Sequence, residues 1–270
     1  MRILFLGDIM GRSGREAVKK HLPTLKEKLK PDAIIINAEN AAHGRGLTEK
    51  ICKELFELGA DCITTGNHVW DQNETMLYIT REPRLLRPAN FPEGTPGNGH
   101  VVVEARNGAK ILVANYMARL FMDPMDDPFA QARELASRNP LGKTVHAIFV
   151  DFHGETTSEK MALAHMLDGQ VTAVVGTHTH LPTADGQILD GGTAFQADAG
   201  MCGDYNSVIG MQKEVPVTRF TKKVSSGPMQ PADGEGTVCG CLIETDSNGL
   251  TKNYGQVIIG PRLTNRMPDF

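Results

Sequence analysis

Five short apolar runs in this chain each end in a cluster of potential metal ligands, and this repetition constrains the fold more than any other feature. The clusters are GDIM (Gly7 to Met10), NAEN (Asn37 to Asn40), GNHVWD (Gly66 to Asp71), DFHGE (Asp151 to Glu155) and GTHTH (Gly176 to His180). One cluster would say little. Together they supply Asp, Glu, Asn and His from widely separated points, and divalent cations need several oxygen or imidazole ligands on rigid supports. A fold that converges them on a metal centre is expected.

The runs themselves read as strands. Arg2 to Leu6 and Ala33 to Asn37 are short and rich in branched apolar residues, as in strands buried on both faces. Between them Val18, Leu22, Leu25 and Leu29 recur at helical spacing, completing a βαβ unit. Thr48 can cap a helix carrying Ile51, Leu55 and Leu58, with a strand at Asp61 to Thr64 after it. Asn107-Gly108 predicts a hairpin between Val101 to Ala105 and Lys110 to Asn115. The stretch around 117–140 is irregular, with acidic residues, prolines and a short helix near Phe129 to Ser137, and reads as a lid-like excursion or a contact surface. A strand is expected at Val145 to Val150, then a helix through Leu163 and Leu167 opened by the capping box Thr156-x-x-Glu159, then a strand at Val171 to Val175. The remainder reads as largely β, with Ser225 to Gly236 an exposed loop and Asn248-Gly249 a turn between Thr237 to Glu244 and Thr251 to Ile259. The expectation is one layered α/β domain over 1–270 with mixed sheets, its candidate ligands following the carboxyl ends of strands.

With 270 residues the chain can bury a sizeable core, and its formal charge of −4 argues against a dominant attraction to nucleic acid or an anionic membrane. No basic leader precedes the first strand, and no apolar run reaches the roughly 20 residues that span a bilayer, so a cytoplasmic location is expected. The five cysteines are sparse and odd in number, which does not suggest a disulfide framework.

Taken singly, the clusters have ordinary readings beside the chemical one. Asp8 could be a helix cap or turn residue. Glu39 and Asn40 could cap their own turn, although Glu is not a favoured turn residue. As ligands, a carboxylate can bridge two cations and an amide oxygen adds a neutral donor. Asn67 and His68 are adjacent at a strand end, so one can face a metal and the other a substrate. His153 follows a strand, and His178 and His180 share a face if their segment is extended. Asp71 either orients His68 or caps a helix, and His43 sits in a glycine-containing loop within reach of substrate. His21, His100, His146 and His165 read as structural or exposed.

In this order the clusters resemble the calcineurin-like metallophosphoesterases, whose pattern runs D-x-H, GD-x-x-D, GNH, a lone His and GH-x-H. Met10 stands where that pattern has its first His, and Glu39-Asn40 replaces the second aspartate motif. Both departures match the narrower YmdB-type bacterial phosphodiesterases, to which GDIMG, NAEN, TGNHVWD, DFHGETTSEK and GTHTHLPTADGQIL are similar from Met1 to about Pro261. The resemblance implies a metallophosphoesterase-like β-sandwich of mixed sheets flanked by helices, holding two metal ions. Asp8, Glu39, Asn40 and His180 would hold one; Glu39, Asn67, His153 and His178 would hold the other, with Glu39 bridging. His68 is implied as proton donor. An amide oxygen in place of imidazole hardens the site and favours iron or manganese, with zinc and magnesium as alternatives.

The implied chemistry is phosphodiester hydrolysis, in which a hydroxide shared by the two metals attacks phosphorus and His68 protonates the departing alkoxide. Small nucleotides are the expected substrates, 2′,3′-cyclic before 3′,5′-cyclic. Few aromatics and an acidic charge disfavour extended nucleic acid. A phosphomonoesterase, an RNA-processing nuclease and a metal-containing regulatory scaffold that binds nucleotide or protein are the competing readings. An exposed lid or sheet edge leaves room for a homo-oligomer.

Overall fold

Strand residues point alternately to opposite faces, and the first strand uses both faces for burial. In the computed structural model, which describes residues 1–224 and 227–270, that strand is β1 (Arg2–Leu6). Its Leu4 and Leu6 join Val18, Leu22, Leu25 and Leu29 of helix α1 (Gly11–Leu29) in an outer core. Ile3 and Phe5 turn the other way and meet Ile111, Val113, Phe149 and Val175 of a second sheet. The Phe5 and Phe149 rings meet across the two sheets, tilted by 42° with centroids 4.9 Å apart.

The first sheet has the order β11 (Thr251–Ile259), β10 (Val238–Thr245), β1, β2 (Ala33–Asn37), β3 (Cys62–Thr64). Its β1, β2 and β3 run parallel, with β10 and β11 added antiparallel. The second has the order β4 (His100–Glu104), β5 (Lys110–Met117), β6 (Ala147–His153), β7 (Ala173–Thr177), β9 (Ala194–Gln196), β8 (Gln187–Ile188). It is parallel from β5 to β9, with antiparallel strands at both edges. Helix α2 (Glu49–Leu58) joins α1 on the first sheet, its Thr48 cap accepting from Ile51 N at 3.2 Å as the sequence predicts. On the far side of the second sheet, Tyr116, Phe152 and Val174 pack beneath α4 (Pro128–Arg138) and α5 (Thr157–Leu167). The result is the expected layering of two mixed sheets between helices. A short α3 (Thr75–Tyr78) follows the third ligand cluster.

Three local expectations change. Glu159 does not close a capping box; its carboxylate accepts from Arg119 N at 2.9 Å and Leu120 N at 3.0 Å. Those amides lie just past the end of β5, beyond its ladder, so a tertiary bond displaces the local one. The later part of the chain is not wholly β, because α6 (Glu214–Lys222) interrupts it. Val215, Val217, Thr218 and Thr221 give that helix a strand-like composition, and Pro216 is tolerated because it falls in the first turn. The loop expected to be exposed over 225–236 begins at residues 225 and 226, which lie outside the described residues. Further on it is partly folded in, with Pro231 bridged to Met211 and Ala232 and Gly236 buried. Within the 117–140 stretch, Asp127 caps α4 by accepting from Phe129 N at 2.9 Å, and α4 lies against α5 and β5. Among the described residues no helix is long and apolar enough to cross a membrane.

Because Phe149 is fully buried between the sheets, Phe149→Ala is expected to cost about 3–5 kcal/mol of unfolding free energy, read from the urea midpoint at unchanged slope.

Candidate metal centre

The parallel strands β1, β2, β3, β6 and β7 bring their carboxyl ends together, and the loops that follow are laced by backbone hydrogen bonds. Ile9 N donates to Asn37 O at 3.0 Å, Gly11 N to Asn40 O at 2.9 Å and Cys202 N to Asp8 O at 2.8 Å. Side chains from four of the five sequence clusters form two candidate ligand groups there, and the fifth cluster adds Asn67 at their edge. Glu39, His153 and His178 form one, and Asp8, Glu39 and His180 the other, with the donor atoms of each group within 4.8 Å of one another. Glu39 belongs to both. Asn67 Oδ1 reaches the first group, 2.8 Å from His153 Nε2, and Asn40 lies beside the second, its Nδ2 3.4 Å from His180 Nε2.

The donor set fits metal ions on its own terms. Asp8 Oδ1 and Asn40 Oδ1 are buried and have no hydrogen-bond partner, and buried Glu39 Oε1 has only an ion-pair contact, with His153 Nε2 at 3.3 Å. Buried oxygens left this way are costly, and cations held between these oxygens and the neighbouring imidazoles would satisfy them. No thiolate is present in either group.

Outer partners orient each imidazole. His153 Nδ1 lies 2.9 Å from Thr177 Oγ1, whose proton goes to Asp151 Oδ1 at 2.7 Å. The hydroxyl must therefore accept from Nδ1–H, which aims Nε2 at Glu39, Asn67 and His178. His180 Nδ1 donates to the Ile209 carbonyl at 2.8 Å, leaving Nε2 for the second group. His178 Nε2 lies 3.2 Å from Glu155 Oε2, and its Nδ1 faces His153 Nε2 at 3.1 Å.

The electrostatics are those of a cation site balanced by protons. Burial pushes Glu39 up, but His153, with His68 and His178 behind it, outweighs this and holds the carboxyl at about 2. Burial pushes His153 down, while Glu39 and then Asp8 lift it to about 9, so it faces Glu39 as an imidazolium. Partial burial, and then the neighbouring imidazolium, push His178 down to about 3, so it is neutral at pH 7. Burial lifts Asp8 to about 7 despite relief from His180 and His153. Metal binding to such donors is coupled to proton release.

The GTHTH segment departs from the expected extended form. His178 and His180 have φ of 100° and 68°, so they enter separate ligand groups through left-handed backbone rather than strand alternation. Such conformations cost about 1–3 kcal/mol each and persist only where surroundings impose them. Here His178 N donates to Asp8 Oδ2 at 3.1 Å, Thr179 N to Asp198 Oδ2 at 2.9 Å, and buried Lys160 Nζ to Thr177 O at 2.7 Å and Asp198 Oδ2 at 3.1 Å. Gly66 is needed for a different reason. A Cβ there would collide with Glu39 Oε2 and His153 Nε2.

His68 sits at the rim. Its backbone N donates to Glu39 Oε2 at 3.2 Å, and its Nδ1 lies 2.9 Å from Asp71 Oδ2. Of the two readings of Asp71, orientation of His68 is the one with a contact. Met10, in the place of the pattern's first His, is buried against Gly44, Gly203 and Gly210. His43 is exposed with φ 54°, while its neighbours Gly44 and Arg45 line a cavity of about 370 Å³ that also contains Glu39, His68, His178 and His180. The roles of Asp151, Thr177, Lys160 and Asp198 were missed by sequence reasoning. Only Asp151 carried a signal, as an acid inside the apolar run Ala147–His153.

Two mixed sheets with carboxylate and imidazole groups at the ends of their parallel strands define a site of the metallophosphoesterase class. The chain belongs to the YmdB-like protein family, which it matches over residues 4–257. It is 50% identical over 248 residues to a 2′,3′-cyclic-nucleotide 2′-phosphodiesterase of Bacillus subtilis (strain 168), covering 91% of this chain and 92% of that protein. A putative phosphatase/phosphodiesterase of Mycoplasma pneumoniae is 40% identical, covering 82% and 79%. Among solved structures, a hypothetical protein from Thermus thermophilus superposes with a TM-score of 0.89 at 38% identity, covering 96% of this chain and 99% of that one. A phosphatase from Mycoplasma pneumoniae gives 0.89 at 34% identity, covering 96% and 93%.

Gly66→Ala is expected to leave the far-ultraviolet circular dichroism unchanged but to lower bound metal per chain well below wild type, measured by elemental analysis after gel filtration.

Proposed function

We propose that this chain is a metal-dependent phosphodiesterase that opens 2′,3′-cyclic nucleotides. Asp8, Glu39, Asn40, Asn67, His153, His178 and His180 act as the metal ligands and His68 as the proton donor. The observation that carries the reading is the sharing of Glu39 between two ligand groups in the cavity that also holds His68. The half-identical Bacillus relative, named for the 2′,3′-cyclic activity, supports the substrate class.

Metal ions held by these residues would supply Lewis-acid polarisation of the phosphoryl oxygens and of the attacking water. The protein's own groups do the rest. The water oxygen bonds to phosphorus and loses a proton to solvent, the bond from phosphorus to O2′ breaks, and the 2′ oxygen takes a proton from His68, which regains one from solvent, leaving a nucleoside 3′-phosphate. Asp71 accepts from Nδ1 of that ring and so leaves Nε2 as the nitrogen that serves the cavity. Arg45 and Arg219 line the cavity and offer positive charge to the phosphate. A donor set of oxygens and imidazoles without thiolate suits iron or manganese. Five buried free cysteines accord with a reducing compartment such as the cytoplasm.

His68→Ala should lower kcat for 2′,3′-cyclic AMP by about 10²- to 10⁴-fold with metal content retained. An unchanged kcat would remove His68 from the mechanism. Glu39→Gln should instead lose metal from both positions, and full occupancy in that variant would contradict the shared-ligand assignment.

A further inference from the structure

The cavity has a second character that hydrolysis of a cyclic phosphate does not require. Away from the metal cluster its wall is apolar, formed by Ile209, Met211, Pro216, Phe220 and Met229. Pro216, Arg219 and Phe220 are spaced by three and four positions, so one face of α6 fronts the cavity. Phe220 is 71% exposed and Ile209 is 53% exposed, an unusual placement for large apolar side chains beside a charged site. The wall is fastened to the metal cluster itself, because the Ile209 carbonyl accepts from His180 Nδ1 at 2.8 Å.

We propose that this wall is the nucleobase subsite, with the ring of Phe220 as its stacking platform. The inference rests on the phosphodiesterase reading above. A nucleobase fits better than a second protein copy because the apolar wall and the candidate metal ligands line one continuous hollow, so an occupant anchored by phosphate lies against Phe220. The hollow, about 370 Å³, falls within the roughly 300–1,000 Å³ typical of small-molecule sites. Stacking on an aromatic face is available to every base, because each has a π-face. The residues of the wall itself, Ile209, Met211, Pro216, Phe220 and Met229, carry no nitrogen or oxygen in their side chains to pair with a base edge. The wall therefore reads the flat face of the base and not its edge. Purines, with the larger face, are preferred modestly over pyrimidines.

The test uses the metal-loaded full chain as wild type, Phe220→Ala and Phe220→Trp. Hydrolysis of 2′,3′-cyclic AMP is compared with that of ribose 2′,3′-cyclic phosphate, which lacks the base. Phe220→Ala is expected to raise KM for 2′,3′-cyclic AMP by about fivefold or more with kcat nearly unchanged, and Phe220→Trp to restore it. The abasic substrate should respond to neither. Binding of adenosine 3′-monophosphate and of ribose 3-phosphate is measured in parallel by calorimetry, with the same contrast expected. An equal effect on both ligands, no effect on either, or a KM change that follows protein concentration as in an oligomer interface would overturn the subsite. Absence of turnover by wild type with the binding contrast intact would sink the activity reading and leave the subsite standing.

Discussion

The buried carboxylate of Glu39 is the constraint on which the rest of the site depends. It is 1% exposed, and an unpaired anion at that depth costs several kcal/mol, so its surroundings must compensate it. His153 does so as an imidazolium when no cation is bound, and the His68 amide satisfies the second oxygen. Gly66 makes room for both groups by lacking a side chain. The parallel pairing of β2 with β3 places Glu39 and the Gly66 turn side by side, and the inter-sheet core carries β6, with His153 at its end, up against them.

Around that carboxylate the protein orients its imidazoles through groups that themselves touch no candidate ligand space. Asp151 holds Thr177, Thr177 holds His153, and Lys160 with Asp198 holds the strained turn that carries His178 and His180. Burial is what makes this expensive network specific. Each polar group in it has few alternative partners, so each imidazole is left with one orientation. The tight packing of the two sheets supplies the stability against which the left-handed backbone is held.

α6 and the loop before it give the site its shape on the solvent side. Their attachment is light, since Pro216 is the only buried residue of the helix, yet Ile209 connects the same segment to His180. Ligand orientation and the apolar wall therefore share one piece of chain. Within the stretch at 117–140, α4 packs on α5 and β5, and Glu159 ties Arg119 and Leu120 to α5.

The strands and the clusters of candidate donors were legible in the chain itself. Period and branching mark the buried runs, and a parallel strand ends where its polar cluster begins, so local context marks Asp8, Glu39, Asn67, His153 and His178 as strand-end candidates. The helix at 214–222 was hidden because its β-branched residues mimic a strand, and the capping box failed because Glu159 found better partners elsewhere. Which ligands meet, and through which nitrogen, was decided only in three dimensions. Those contacts join residues far apart in the chain, by 170 positions for Asp8 with His178 and 86 for Asn67 with His153. Local periodicity records which face a side chain takes; it holds no record of the distant donor that will fix its orientation once water is excluded.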